Sequence, residues 1–181
     1  MNYDDYSKLD YGINVSRYLP SEMIPADPVI TRQTVDSRLP LNSHSQVCLL
    51  YVCEGEGTIT INGRNHSARP GTFVFLMPQH IYTLTPSAEH PLELVRCLCG
   101  NGLLLFFEMC PYFDGRTITP ATTTALVRME GEERELAEGI LRDLVNGQRE
   151  RKEDQYDDVQ TTLLLMELWG LFFHKLEENG D

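Results

Sequence analysis

Basic residues are scarce in this sequence. Its 181 residues include 15 lysines and arginines against 27 aspartates and glutamates, a formal net charge of −12 at pH 7, and the isoelectric point is about 4.8. Proteins that bind nucleic acids or anionic membranes present basic surfaces to the phosphate groups. The composition therefore argues against DNA binding, and against adhesion to an acidic membrane, by this chain itself.

Long apolar runs and paired cysteines are missing as well. No stretch reaches the roughly 20 apolar residues of a membrane span, and the first ten residues, MNYDDYSKLD, lack the basic and apolar segments of a secretory leader. The five cysteines are odd in number and show no C-x-x-C spacing, so we expect reduced core residues. We predict a cytoplasmic protein that makes no contact with a membrane.

The chain changes character twice along its length. Residues 1–28 carry four of the eight tyrosines and show no periodicity, which is typical of an N-terminal arm. Residues 29–115 contain short apolar runs between Gly and Pro signals, with Asn62-Gly63 typical of a type I′ turn. Residues 120–181 are assigned to a helical dimerisation element, in which the pattern turns helical from about residue 132. The predicted fold is mainly β: a small barrel followed by two C-terminal α-helices.

The two helical segments differ in their apolar surface. The first, EERELAEGILRDLVNG, ends at an Asn-Gly signal and carries one apolar stripe, made of Leu136, Ile140, Leu141 and Leu144. The second runs from about Asp157 to Glu178 and is apolar almost all the way round in its middle. A helix of that kind needs cover on more than one side, so we expect a homodimer, with burial inside one chain as the alternative. The residues predicted at the dimer contact are Leu163, Met166, Trp169 and Phe173.

A family resemblance is carried by residues 51–84, YVCEGEGTITINGRNHSARPGTFVFLMPQHIYTL. This segment resembles the core of a cupin, in which Gly-x-Gly closes one strand, Asn-Gly forms a hairpin and Pro-Gly leads into a buried strand. Together with the helices, residues 25–178 resemble the N-terminal effector-binding and dimerisation domain of AraC-type transcription regulators. The resemblance implies a jelly-roll barrel, a small-molecule effector such as a sugar, and dimerisation through the C-terminal helices. It also implies an arm that folds over the ligand, for which a disordered tail is the alternative.

The same resemblance allows a test for metal. Metal-dependent cupins hold their ion with two histidines, a glutamate and a last histidine, which correspond here to His44, Gln46, Leu50 and Tyr82. Only His44 is a good ligand, and a leucine in place of the carboxylate leaves a divalent cation short of charge and coordination. His80 lies two residues away from the last position. We therefore predict neither a metal nor another cofactor.

What remains is a neutral, mixed set of side chains near one end of the barrel. Positions 44, 46, 48 and 50 share one parity, so an unbroken strand points them to one face. Amide, imidazole and phenol groups hydrogen-bond a ligand while an aromatic ring stacks on it. The family pattern adds a glutamate, and the first strand offers a basic partner for an anion. The candidate ligand-binding residues are Arg32, His44, Gln46, Cys48, Leu50, Glu54, Phe75 and Tyr82, with Phe73 replacing Phe75 if that strand faces the other way.

Three functions remain open at this point. AraC-type regulators carry a basic pair of helix-turn-helix units after the helices, and this sequence ends at KLEENGD without them. We therefore expect the effector-sensing fragment of a bacterial regulator, whose parent binds DNA and regulates transcription. No nucleophile has a base near it in the sequence, so we predict no catalysis. The alternatives are a cupin-type enzyme, such as a sugar isomerase, epimerase or dioxygenase, and a scaffold whose barrel is filled by its own side chains.

Overall fold

A computed structural model of the chain describes residues 28–78, 80–100, 125–150 and 155–179. The N-terminal arm up to residue 27, the apolar run at residues 103–107, Gln79 and Cys110 lie outside these described residues. The four described cysteines are free thiols, three of them buried, as expected for reduced core residues.

Eight strands and two helices make up the described part of the chain. The strands are β1 (Val29–Val35), β2 (Val47–Glu54), β3 (Gly57–Ile61), β4 (Arg64–Ala68), β5 (Thr72–Leu76), β6 (Tyr82–Pro86), β7 (Leu92–Cys99) and β8 (Ala125–Arg128). They form a five-stranded sheet in the order β1-β7-β2-β5-β8 and a three-stranded sheet in the order β4-β3-β6. The helices are α1 (Gly131–Glu150) and α2 (Gln155–Glu178). The prediction of a mainly β fold followed by two helices is confirmed.

The five-stranded sheet separates two hydrophobic cores. Successive side chains of a strand point to opposite faces, and on β2 both faces are covered, which explains its almost unbroken apolar sequence. Leu49 and Tyr51 belong to the core under the helices, whereas Leu50 and Val52 face the three-stranded sheet. We call the space between the two sheets the barrel interior. Its buried residues are Val35, Cys48, Leu50, Val52, Ile59, Ile61, Ala68, Val74, Leu76, Tyr82, Leu84, Leu92 and Leu94.

The other core, which we call the helix-side core, is dominated by aromatic rings. Phe75 on β5 lies edge-on to Trp169, with ring centroids 5.2 Å apart, and stacks on Phe172 at 5.6 Å. Trp169 is 0 % exposed and Phe173 is 3 % exposed. The prediction that these two residues lie in a dimer contact is therefore wrong, because the sheet of the same chain already covers them.

The predictions from the helical pattern are confirmed only in part. The first helix begins at Gly131, next to the predicted onset near residue 132, but β8 pairs with β5, so the sheet extends to Arg128, inside the range 120–181 assigned to the helical element. α1 continues through Asn146 and Gly147 to Glu150. Leu136, assigned to the buried stripe, is 46 % exposed.

The hairpin prediction is confirmed. Asn62 and Gly63 connect β3 to β4, and both have positive φ, 48° and 79°. A type I′ turn requires positive φ at both central residues. None of the described helices combines the length and the apolar character that a membrane crossing requires.

Candidate ligand site in the barrel interior

A row of cross-strand neighbours crosses the interior face of the five-stranded sheet. Arg96 on β7 lies between Thr31 on β1 and Leu50 on β2, and Leu50 is in turn paired with Val74 on β5. Arg96 shares its strand parity with Leu92 and Leu94, which belong to the barrel interior. An arginine therefore reaches into a space whose other walls are mostly apolar.

Three polar side chains are joined at one end of this space. The hydroxyl of Tyr82 lies 2.7 Å from Nε2 of His44, and the two ring centroids are 5.5 Å apart. The guanidinium of Arg96 interacts with the same hydroxyl and has only donors to offer. Arg96, Tyr82 and His44 therefore form one polar cluster.

The surroundings keep most of these groups neutral. Burial raises the pKa of the Tyr82 phenol to about 12 and that of the Cys48 thiol to about 12. The pKa of His44 is lowered, first by burial and second by the positive charge of Arg96. At pH 7 the imidazole is therefore neutral, and one of its two ring nitrogens can accept a hydrogen bond. The guanidinium of Arg96 supplies the charge in this cluster.

Two donors of the same row have no hydrogen-bond partner. Among the described residues, Nε of Arg96 and Oγ1 of Thr31 are buried and make no hydrogen bond. Buried polar atoms without partners are uncommon in folded proteins, because each forgoes the hydrogen bonds that water offers. The interior thus holds an unused donor pair beside this polar cluster.

The structure brings together about half of the predicted ligand residues. Cys48, Leu50 and Tyr82 line the barrel interior, and His44 reaches it through its bond to Tyr82. Gln46 is half-buried one residue before β2 and shares its parity with Cys48 and Leu50. Whether these side chains contact a ligand stays a prediction.

The prediction that Phe75 lies in the barrel interior is wrong. Phe75 lies on the opposite face of the sheet, where it packs against Trp169 and Phe172 in the helix-side core. The residues that β5 contributes to the interior are Val74 and Leu76. Phe73 has the parity of Phe75 and lies in the helix-side core as well.

Arg32 and Glu54 are also separated from the barrel interior. They line a pocket of about 310 Å³ between the five-stranded sheet and α1, together with Arg134 and Glu138. Nε of Arg32 lies 3.4 Å from a carboxylate oxygen of Glu93. The basic residue in the barrel is therefore Arg96, which the sequence analysis missed. Its signal is the one basic residue within the strand LELVRCLC, at the parity of Leu92 and Leu94.

The positions that correspond to cupin metal ligands form a poor cation site. Leu50 offers no donor atom, and the raised pKa of Tyr82 keeps its phenol protonated. The guanidinium of Arg96 adds a positive charge beside them, which opposes binding of a second cation. His80 lies in the turn between β5 and β6, where its Nδ1 accepts a hydrogen bond from the backbone N–H of Met77 at 3.1 Å.

A cluster of potential metal ligands occurs elsewhere in the described residues. Glu133, His174 and Glu178 bring one ligand atom each within 4.8 Å of one another, at the surface between the two helices. Nζ of Lys175 lies 2.8 Å from carboxylate oxygens of both glutamates. The lysine already neutralises the charge that would attract a metal ion.

The fold and this interior define a small-molecule-binding domain with two helices behind it. The family model described as the AraC-like ligand binding domain matches residues 28–179. The chain belongs to this family, which confirms the resemblance drawn from residues 25–178. No curated protein matches the chain.

The similarity to one solved structure supports the fold. An apo variant of ToxT from Vibrio cholerae has a TM-score of 0.62 at 10 % identity, over 85 % of this chain and 57 % of that one. The chain thus spans little more than half of that structure's length. A cupin protein from Bacteroides fragilis has a TM-score of 0.36 at 17 % identity over 53 % and 75 % of the two chains. An RmlC-like cupin from Shewanella frigidimarina has a TM-score of 0.38 at 16 % identity over 41 % and 67 %.

Proposed function

We propose that this AraC-like ligand binding domain binds its effector in the barrel interior, without a metal and without chemical change of the ligand. The observation that carries the proposal is the polar cluster of Arg96, Tyr82 and His44, with unbonded donors on Arg96 and Thr31 beside it. Binding sites for small molecules combine apolar walls with a few placed polar groups. The barrel interior has this composition.

The five-stranded sheet offers a route from the ligand to the helices. Leu50 and Val74 face the interior, and their chain neighbours Leu49 and Phe75 face the helix-side core. A ligand that moves β2 or β5 therefore shifts the surface on which Trp169 packs. A coupling of about 1–3 kcal/mol between the two sites is typical of regulatory proteins.

The outer face of α2 is the proposed contact with a second copy of the chain. Val159 is 53 % exposed and Leu163 is 59 % exposed, while Met166 is half-buried and Gly170 is exposed. The spacing of four, three and four residues puts these positions on one helical stripe. The inner face of α2 holds Trp169, so one helix contacts both the sheet and the proposed partner.

For the whole protein we propose transcriptional regulation in the cytoplasm. The net charge of −12 leaves this domain without the basic surface that DNA contact requires. We therefore assign DNA binding to another region of the parent protein. The effector would act by favouring one arrangement of the two domains' helices over another.

Ligand screening on the 181-residue chain tests the proposal. Hexoses, pentoses, aromatic acids and short aliphatic acids are added singly while thermal unfolding is followed. A ligand at a hundred times its dissociation constant adds about 2.7 kcal/mol to the free energy of unfolding. Binding is then located by the leucine methyl signals in NMR spectra. Shifts confined to Leu50, Leu84 and Leu94 support the proposal, and shifts confined to helix residues contradict it.

Metal analysis tests the claim that no ion takes part. The chain is purified without chelators and examined for iron, manganese, zinc and nickel. Stoichiometric metal that is lost in a His44→Ala variant but kept in a His174→Ala variant would contradict the proposal and favour a cupin-type enzyme. Metal lost only in the His174 variant would lie at the surface cluster and leave the barrel proposal intact.

A further inference from the structure

We propose that the effector is a carboxylic acid and that Arg96 binds its carboxylate, assisted by Thr31. This inference rests on the function proposed above, because it specifies the ligand of the same interior site. A ligand that carries one negative charge matches the single guanidinium of the cluster.

The first argument is the contrast between Arg96 and the other half-buried cations among the described residues. Arg134 and Lys175, which are half-buried like Arg96, each lie within 4 Å of a glutamate. In the part of the chain that the structure describes, Arg96 makes no such ion pair, and its contact is the uncharged phenol of Tyr82. A charge taken from water into an apolar space is costly unless an opposite charge compensates it. No acidic side chain among the described residues supplies a counter-charge to Arg96, which indicates that a ligand supplies it.

The second argument is the position of the free donors. Arg96 and Thr31 are directly paired between β7 and β1, and side chains at such positions lie about 5 Å apart at Cβ. Nε of Arg96 and Oγ1 of Thr31 are both buried and make no hydrogen bond within the described part of the chain. A carboxylate has two oxygens that accept hydrogen bonds in one plane, so one group can satisfy both donors.

The third argument concerns the rest of the ligand. Beyond the polar cluster the interior is packed with apolar side chains, among them Val52, Ile59, Leu84, Leu92 and Leu94, each exposed by 3 % or less, so a ligand that enters there has to separate them. Hydroxyl groups placed against these side chains would lose their hydrogen bonds to water without replacement. The walls therefore favour an aliphatic or aromatic carboxylic acid over a sugar.

Matched acids and amides test the inference directly. Hexanoate and benzoate are compared with hexanamide and benzamide, which have the same shape without the charge. The readouts are the Nε–H signal of Arg96, assigned from its loss in an Arg96→Met variant, and the methyl signals of Leu50 and Leu94. We expect saturable shifts of all three with the acids, and binding of the amides weaker by about tenfold or more, as for loss of a charge-assisted pair.

Variants separate Arg96 from other cations. Arg96→Met is expected to bind an acid and its amide with equal affinity, whereas the matched control Arg32→Met keeps the preference for the acid. Equal binding of acid and amide to the unaltered chain overturns the inference, and this comparison needs no variant to fold. An acid preference that survives in Arg96→Met overturns it as well.

The outcomes distinguish this inference from the proposed function. If a neutral sugar shifts the interior methyl signals and no acid does, the inference fails and the proposed function stands. If neither the acids nor any compound of the wider screen shifts these signals, both fail. If the acids bind but move only signals outside the interior, the barrel assignment fails for both.

Discussion

The hydroxyl of Tyr82 and Nε2 of His44 share a 2.7 Å hydrogen bond, a contact between residues 38 positions apart in the chain. It ties the segment before β2 to the first residue of β6. Asn42 reinforces the same junction through two backbone hydrogen bonds with Tyr82, at 2.8 and 2.9 Å. When the imidazole is protonated both of its nitrogens are donors, so the Tyr82 oxygen can then only accept from His44.

The first prediction concerns stability at acidic pH. The groups that face His44 are Tyr82 and Arg96, and burial together with the charge of Arg96 lowers the pKa of the folded imidazole below the ordinary 6.5. The unfolded chain therefore takes up this proton first, so His44 contributes stability that is present above pH 6.5 and lost as the pH falls through the folded pKa. We expect His44→Gln to flatten the fall in melting temperature between about pH 7.5 and pH 5.

The control for this prediction is His174→Gln. His174 is exposed on α2 beside Glu178, so its loss is expected to leave the fall below pH 6.5 in place. An unchanged pH profile in His44→Gln would show that the imidazole does not carry this linkage.

The second prediction compares two neighbours on β5. Phe75→Ala is expected to lower the free energy of unfolding by about 3–5 kcal/mol, because it opens a cavity among buried aromatic rings. Ligand affinity should stay unchanged, since Phe75 faces Trp169 rather than the barrel interior. Val74→Ala removes fewer atoms and should cost less stability, but it alters the interior wall and the affinity for hexanoate. Urea unfolding and ligand titration on both variants measure the two effects, and reduced affinity in Phe75→Ala would contradict the assignment.

The contrast on β5 also shows where the sequence is informative and where it is not. The strand TFVFL is apolar at every position because both faces of the sheet are covered. Because apolar and polar residues do not alternate in this strand, the sequence does not show whether Phe75 or Val74 faces the interior. The segment from His44 to Leu50 was placed more successfully, because the cupin pattern indicated which parity points inward.

Arg96 was missed for a related reason. In LELVRCLC the arginine stands between two buried residues, Val95 and Cys97. From the sequence alone, such an arginine could equally lie at the edge of the sheet or on the face towards the helices. Its role depends on Thr31 and Tyr82, which come from distant strands, and only the pairing of β7 with β1 brings Arg96 next to Thr31. The turn at Asn62-Gly63 was predictable because it depends on adjacent residues alone.

The third prediction concerns Gly55, which lies just after β2. Its φ of +84° is in the left-handed region, and a Cβ there would stand 1.9 Å from the carbonyl oxygen of Pro91. Gly63 has a similar φ of +79° with nothing within 4 Å. Gly55→Ala should therefore prevent folding or lower the melting temperature severely, whereas Gly63→Ala should cost only about 1–2 kcal/mol of backbone strain. Melting of both variants, followed by circular dichroism, measures the difference. An equal fall in melting temperature would contradict the prediction, because it would mean that backbone strain, and not the contact with Pro91, makes Gly55 necessary.

The last prediction tests the outer face of α2. A glutamate in place of Leu163 puts a charge in the centre of the proposed contact, where burial without a partner is costly, so Leu163→Glu should convert a dimer into monomers. Leu163 is exposed within one chain, so the change should alter the stability of the monomer by no more than about 0.5 kcal/mol. Leu136→Glu on α1 is the matched control, because it replaces another exposed leucine of a helix and should leave the dimer intact. Sedimentation equilibrium over a range of protein concentrations distinguishes these outcomes. If the unaltered chain is a monomer, the proposed dimer is wrong. If only the Leu136 variant dissociates, the contact lies on α1 and not on α2.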